Sequence, residues 1–388
     1  MRRMFWAAVI GSLLISWAIS PAHVNADKPT LSTYAEAAAL IDVTSGRILY
    51  SKEGDKPMKI ASLTKVMTAI VAIEQGTLSE PVTVSRNAFG KEGSSLYLKN
   101  GEEMSLHHLL YGLMLRSGND AAVAIAEHIG GSIEGFALLM NQKAEELGME
   151  HTQFINPHGL DTEGHYSSAN DMAKLTAYAL KNPTFQEIVK TKTKRVPRPQ
   201  EKWDAVWNNK NRMLTLYSGA DGVKTGYTKQ ARRTLISSAT RDGQQLAAVT
   251  LNDPNDWLDH SNMLDYGFKH YPLHVLLKQG DKVGEGLVLG TSFVYPLTED
   301  EAARLTIERE MISENTVAYR LGERGKLKLS MDGQMVGSVP IYAENSPRTA
   351  WNSRSAFQFT EMDQIDSEGS GFFHTFRKLW NALFTLSG

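Results

Sequence analysis

The spacing of apolar positions divides the chain into segments with different rhythms. Residues 37–43 and 47–51 are short apolar stretches joined by Thr44-Ser45-Gly46, the turn chemistry of a hairpin. From Ile60 an apolar run continues through Ile73 and stops at Gly76, which predicts a helix. A strand-like Val82-Thr83-Val84 and a polar loop through Gly93-Ser94-Ser95 lead into a helical block. There Ser105 is placed as the N-cap of a helix over 106–115, and helices over 117–128, 132–147 and 168–180 follow.

Near residue 220 the rhythm shortens. Residues 220–224, 231–239 and 244–251 read as strands, the last two joined by Arg241-Asp242-Gly243, and 256–271 reads as a helix. Strands at both ends of a segment with helices between them imply one sheet assembled from distant pieces, with a helical subdomain beside it: a mixed α/β (α+β) domain over 27–275. Residues 276–345 carry short alternating runs (306–308, 317–319, 326–331, 335–341) that predict a small all-β, sandwich-like domain without a chemical motif. Residues 346–370 form a polar linker made acidic by Glu361, Asp363, Asp366 and Glu368. In the tail, 371–388, Phe372, Phe376, Leu379, Trp380 and Leu383 fall on one helical face, with His374, Arg377, Lys378 and Asn381 opposite. That pattern is expected of an amphipathic helix lying on an anionic membrane surface.

Met1-Arg2-Arg3, the apolar run Met4 to Ile19 and Val24-Asn25-Ala26 read as a signal peptide over 1–26, so an exported protein is expected, on the outer face of the cytoplasmic membrane. Losing Arg2 and Arg3 takes Lys plus Arg from 41 to 39 against 43 acidic residues, and the charge from −2 to −4. A mildly acidic protein argues against nucleic acid as a partner. Cysteine is absent, which removes both disulfide stapling and a thiol nucleophile.

The chemistry gathers in three places. Ser62-Leu63-Thr64-Lys65 opens the first apolar helix, and three helical residues turn through about 300°, so the hydroxyl and the amine share a face. An ammonium with an ordinary pKa of about 10.4 is no base, but apolar surroundings and a second cation lower it, and Lys224 is a candidate for that cation. Ser117-Gly118-Asn119 lies at the junction of two helices, and Lys224-Thr225-Gly226 at the end of a strand. Taken singly, Ser117 reads as a helix cap and Lys224 as a solvated strand end; taken together the three motifs read as catalytic. In that reading Ser62 attacks a carbonyl and Lys65 takes its proton. Ser117 passes a proton to the leaving amine, and Asn119 holds a substrate amide. Lys224 and Thr225 suit a free carboxylate, Gly226 allows close backbone approach, and the amides of Ser62 and Tyr227 are candidate oxyanion donors. No cofactor or metal motif accompanies them: His-Glu-x-x-His is absent, and the stretch holding His151, His158 and His165 is too broken for one helix face.

Ser-x-x-Lys, Ser-x-Asn and Lys-Thr-Gly in this order are the signature shared by class A β-lactamases and penicillin-binding proteins. From about residue 34 onward the chain resembles the serine D-alanyl-D-alanine carboxypeptidases, the low-molecular-mass penicillin-binding proteins. The likeness includes Asn156-Pro157-His158-Gly159-Leu160, His165-Tyr166-Ser167 and the run Lys-Thr-Gly-Tyr-Thr; Asp253-Pro254-Asn255-Asp256-Trp257 and the stretch 113–128 are most similar to the sporulation-type members of endospore-forming bacilli. The resemblance implies a serine β-lactamase/transpeptidase-like fold and removal of the terminal D-alanine from peptidoglycan stem peptides through a Ser62 acyl-enzyme. It also implies that β-lactams act as covalent inhibitors. Where many relatives have His after Lys-Thr-Gly this chain has Tyr227, and where some carry Arg after the last strand it has Asn252-Asp253, which leaves the second cation for the substrate carboxylate open. A serine β-lactamase is the nearest rival, but its deacylating Glu has no counterpart beyond Asp161 or Glu163. A non-catalytic receptor for D-alanine ends or antibiotic is the rival from another class.

Overall fold

The computed structural model describes residues 31–198 and 201–348. The expected signal peptide, all but the first three residues of the linker, and the amphipathic tail lie outside the described residues. A five-stranded antiparallel sheet holds the two ends of the first domain together. Its strands are β1 (Ala37–Asp42), β2 (Ile48–Lys52), β3 (Ala220–Thr228), β4 (Arg232–Arg241) and β5 (Gln244–Leu251), in the order β2-β1-β5-β4-β3. The join is the β1–β5 ladder, running from Ala37 opposite Leu251 to Asp42 opposite Leu246.

Every residue of β1 is buried, because both faces of the sheet are covered. Ala37, Ala39 and Ile41 turn towards the helical core. Leu40 meets α4 (Asp256–His270) on the opposite face, where Gly267 lets the helix sit down: a Cβ there would lie 2.5 Å from Leu246 and 2.9 Å from Leu40. The helical side is built around α1 (Lys65–Gln75), in which Lys65 through Ala72 are all buried. Around it pack α2 (Asn119–Gly130), the helix Ile133–Glu146, and α3 (Ala169–Ala179), which also touches β1 and β5. Ser105, Ser132 and Ser168 each cap a helix, accepting from the amides of His108, Gly135 and Asp171.

Several elements differ from the sequence expectation. Ser62 sits in a 3₁₀ turn, Ala61–Thr64, and the α-helix begins only at Lys65. The helix after Ser105 ends at Tyr111 and runs on as a π turn, Gly112–Arg116. Ser117 then takes a left-handed conformation (φ 65°), so it breaks the backbone between two helices instead of opening the second. β3 extends to Thr228 and places the Lys-Thr-Gly motif within the strand. The expected strand 317–319 is a helical turn, Val317–Arg320, because the Thr316 hydroxyl caps it by accepting from the Tyr319 amide. The helix Pro183–Lys190, capped by Asn182, and the hairpin Thr193–Val196/Ala205–Asn208 were not foreseen.

Beyond α4, Leu273–Leu277 pairs with Phe293–Pro296, and five strands between Lys282 and Ala343 form a second antiparallel sheet. Leu276, Tyr295, Leu305, Leu327, Leu329 and Ile341 share a core there. Arg47, in β1's turn to β2, reaches this region. Its guanidinium donates to both Glu301 oxygens (2.7 and 3.0 Å) and to Pro296 O (2.6 Å), between the rings of Tyr271 and Tyr295.

Candidate active site

Lys65 is the centre of the site, fully buried, with three acceptors around one amine. Its Nζ lies 3.1 Å from Ser62 Oγ, 2.7 Å from Asn119 Oδ1 and 2.6 Å from the carbonyl oxygen of His158. Burial, followed by the charges of Lys224 and Lys210, holds its pKa well below the usual lysine range; Asp120 pulls the other way. A neutral amine has two N–H groups and one lone pair. In that form two N–H groups serve Asn119 Oδ1 and His158 O and the lone pair can accept from the Ser62 hydroxyl; as an ammonium the same group donates to all three.

The turn carrying Ser62 is held from three sides. Ala61 stands at φ 49°. Beside it Gly159 (φ 81°) comes so close that any Cβ there would overlap the Ala61 carbonyl oxygen. Ile155 N donates to His165 Nδ1 (3.0 Å), so Nε2 carries the hydrogen and donates to Thr64 Oγ1 (2.9 Å); that hydroxyl in turn donates to Ala61 O (2.9 Å). Burial pushes the His165 pKa down to about 4 and that of His158 to about 3, so both imidazoles are neutral at pH 7. From the sheet side Thr234 Oγ1 donates to Ile60 O (3.2 Å). A Cβ on Gly226 would stand 3.1 Å from Ser62 N, so the backbone of β3 passes directly beside that amide. This sets the Ser62 amide beside the sheet's edge strand, which carries the other candidate oxyanion donor, the Tyr227 amide.

The second motif is ordered by a loop as well as by its helix. Asn119 donates from Nδ2 to Glu92 O (2.6 Å) and from its amide to Ser94 O (2.7 Å). The Asp120 carboxylate, buried at the start of α2, accepts from Leu96 N, Leu98 N and Ser95 Oγ. Ser117 Oγ is buried and has no hydrogen-bond partner, an orphan polar atom of the kind that marks a reacting site. Lys224 is buried too, donates to Thr225 O (2.8 Å), and has its pKa pushed down to about 7 by burial and by Lys210. Tyr227 is exposed.

Of the residues expected from the sequence, Ser62, Lys65 and Asn119 are joined by hydrogen bonds and Gly226 abuts Ser62. Lys224 acts on Lys65 through charge and donates to Thr225 O, while among the described residues Ser117 Oγ has no hydrogen-bond partner. Asn252 and Asp253 supply no cation: Asn252 donates to Glu36 Oε2 (2.7 Å) and Asp253 is buried. Lys210, which donates to Ser94 Oγ (3.1 Å), is instead the further cation whose charge reaches Lys65 and Lys224. Asp161 is engaged by Thr228 Oγ1 (2.8 Å) and Glu163 is exposed. Among the described residues no carboxylate is hydrogen-bonded to Ser62 or Lys65, which disfavours the class A lactamase arrangement.

Residues 23–255 match the family described as D-alanyl-D-alanine carboxypeptidase. The chain belongs to this family of serine-type peptidases. This carboxypeptidase is 33% identical over 374 residues to the D-alanyl-D-alanine carboxypeptidase DacF of Bacillus subtilis, covering 90% of this chain and 96% of the relative. Among solved structures it is similar to penicillin binding protein 5 from Haemophilus influenzae (TM-score 0.67, 27% identity, 81% of this chain and 98% of that one). It is also similar to the carboxypeptidase DacD from Francisella tularensis (TM-score 0.64, 26% identity, 82% and 95%). The fold is the mixed α/β fold of these penicillin-binding D,D-peptidases. Sequence reasoning missed the carbonyl of His158, the carboxylate of Asp120 and the Thr64–His165 pair. The first is a backbone atom; the other two are side chains whose partners lie 22 or more residues away.

Proposed function

We propose that this carboxypeptidase removes the terminal D-alanine from peptidoglycan stem pentapeptides through an acyl-enzyme on Ser62. The observation that carries the reading is the buried amine of Lys65 3.1 Å from Ser62 Oγ, with Asn119 Oδ1 and His158 O as its other two acceptors. Lys65 accepts the Ser62 proton as Oγ bonds to the carbonyl carbon of the penultimate residue. The amides of Ser62 and Tyr227 hold the oxyanion. The carbon–nitrogen bond breaks as Ser117 relays a proton to the leaving amine, and free D-alanine departs. Water then attacks the ester, giving up a proton to Lys65, which passes it to Ser62 Oγ as the ester carbon–oxygen bond breaks and the shortened stem leaves. Lys224 and Thr225 hold the terminal carboxylate of the substrate, Gly226 lets its backbone come close, and Asn119 anchors a substrate amide. A β-lactam acylates Ser62 by the same steps.

Two further parts of the reading rest on sequence pattern and similarity, and a third on packing. The signal peptide and the tail 371–388 support a protein on the outer face of the cytoplasmic membrane or of the membrane around a forespore, and deleting that tail is expected to release it from membranes. Similarity to the sporulation-type relatives supports a role in cortex or wall peptidoglycan. The core shared by Leu276, Leu305 and Leu329 supports a sandwich-like second domain over 276–345. The decisive experiment is release of D-alanine from diacetyl-Lys-D-Ala-D-Ala: the natural chain is expected to turn it over and Ser62→Ala to release none. Turnover surviving in Ser62→Ala would overturn the proposal.

A further inference from the structure

We propose that Tyr97 and Trp203 form an aromatic rim that holds the sugar strand of peptidoglycan while the cleft works on the stem peptide. The inference rests on the carboxypeptidase reading of the cleft and adds a second binding surface to it. Tyr97 is 83% exposed and stands at φ 59°, a conformation bulky residues seldom adopt. The cause is Asp120: Leu96 N (2.9 Å) and Leu98 N (3.1 Å) both donate to its Oδ2, and the chain must reverse at the residue between them. Tyr97 N donates to Ser95 Oγ (2.9 Å), and Tyr97 O accepts from Arg198 Nη2 (3.1 Å). The backbone is therefore fixed on both sides while the ring points into solvent. Glycine or asparagine would make this turn at lower cost, so the turn does not account for tyrosine. Among the described residues eight non-glycine positions stand at positive φ, and two of them, Ala61 and Ser117, adjoin the candidate active site.

Trp203, 76% exposed, lies on the loop between Thr193–Val196 and Ala205–Asn208. Two ion pairs bind that loop to the Tyr97 segment: Arg198 grips Glu102 (2.7 and 2.9 Å), and Lys99 meets Glu201 (2.7 Å). The wall that bears Tyr97 is continuous with the cleft, because Asn119 bonds to Glu92 O and Ser94 O on the same loop. A stem peptide seated on Ser62 carries its sugar only three or four residues away, roughly 10–14 Å of extended chain. A pyranose offers an apolar face of C–H groups, which stacks on the electron-rich face of an aromatic ring, and leaves its hydroxyls in water.

The test uses the full mature chain, Tyr97→Gly, Trp203→Ala and the double variant. Peptide-free glycan strands are titrated against each by calorimetry, a readout that needs no catalysis. The natural chain is expected to bind them and the double variant to bind at least tenfold more weakly. Turnover of the sugar-free diacetyl-Lys-D-Ala-D-Ala, retained in the variants, reports an intact fold, while kcat/KM on disaccharide pentapeptide falls about tenfold through KM. Failure of the natural chain to bind glycan, equal binding by the double variant, or binding to phosphatidylglycerol vesicles that depends on these two residues would overturn the proposal. Loss of D-alanine release with glycan binding intact would instead count against the carboxypeptidase reading alone.

Discussion

Asn119→Asp changes one group of the amide and turns the nearest side-chain acceptor of Lys65 into an anion. The carboxylate would stand 2.7 Å from the amine. At an effective dielectric of about 20 the attraction between unit charges at that distance is about 6 kcal/mol. Burying the new charge offsets a large part of this, and opposite charges in such contact shift a pKa by about 1–3 units. The direction is upward, since the ammonium gains a partner, and it opposes the lowering that burial and Lys224 impose on Lys65. Taking about two units, or about 2.7 kcal/mol, the neutral fraction of Lys65 at any pH below its pKa falls about 100-fold. The assay is the second-order rate of Ser62 acylation by benzylpenicillin between pH 5 and 10. On the acid limb, below the native Lys65 pKa, the variant should acylate about 100-fold more slowly, and the limb itself should move up by about 1–3 units. The variant also loses the bond from Asn119 Nδ2 to Glu92 O, which lowers the rate at every pH without moving the limb. An unmoved limb would refute the assignment of Lys65 as the base.

Arg47→Ala leaves Glu301 buried with Thr298 N (3.0 Å) but without its cation, and should cost about 3 kcal/mol, seen as a Tm lower by several degrees with penicillin acylation unchanged. An unaltered Tm would show that the contact holds nothing. Acid should destabilise the protein well above the carboxylate range. His158, His165 and His260 are buried, with pKa values near 3, 4 and 3 against an ordinary value of about 6.5. The unfolded chain takes up the protons, so this stability is complete above pH 6.5 and is lost as pH falls, by about 1.4 kcal/mol per unit for each group. The Tm should therefore drop steeply between pH 6.5 and 4, and a flat Tm over that range would contradict the neutral assignment.

The neighbourhood of Ser62 and Lys65 and the strand bearing Lys-Thr-Gly were legible because each is carried by a short motif. The sheet was legible because strand periodicity at residues 37–51 and 220–251 brackets a helical block. What escaped depends on atoms that carry no residue letter or on tertiary demands. The acceptor that fixes Lys65 is a backbone oxygen of His158, 93 residues away. Ser117 looks like a helix cap until the π turn before it forces its backbone left-handed. Val317-Ala318-Tyr319 alternates like a strand, yet Thr316 caps it into a helical turn. The helix at Pro183 did have a sequence signal, Asn182 followed by proline at the first position.

The claim beneath all of this is that the hydroxyl at position 62 is the nucleophile, activated by an uncharged Lys65. Peptide mapping of the mature protein after reaction with radiolabelled benzylpenicillin tests it most directly. The label should reside on Ser62, vanish in Ser62→Ala, and form far more slowly in Lys65→Met. Label on another serine, or label undiminished in Ser62→Ala, would contradict the account.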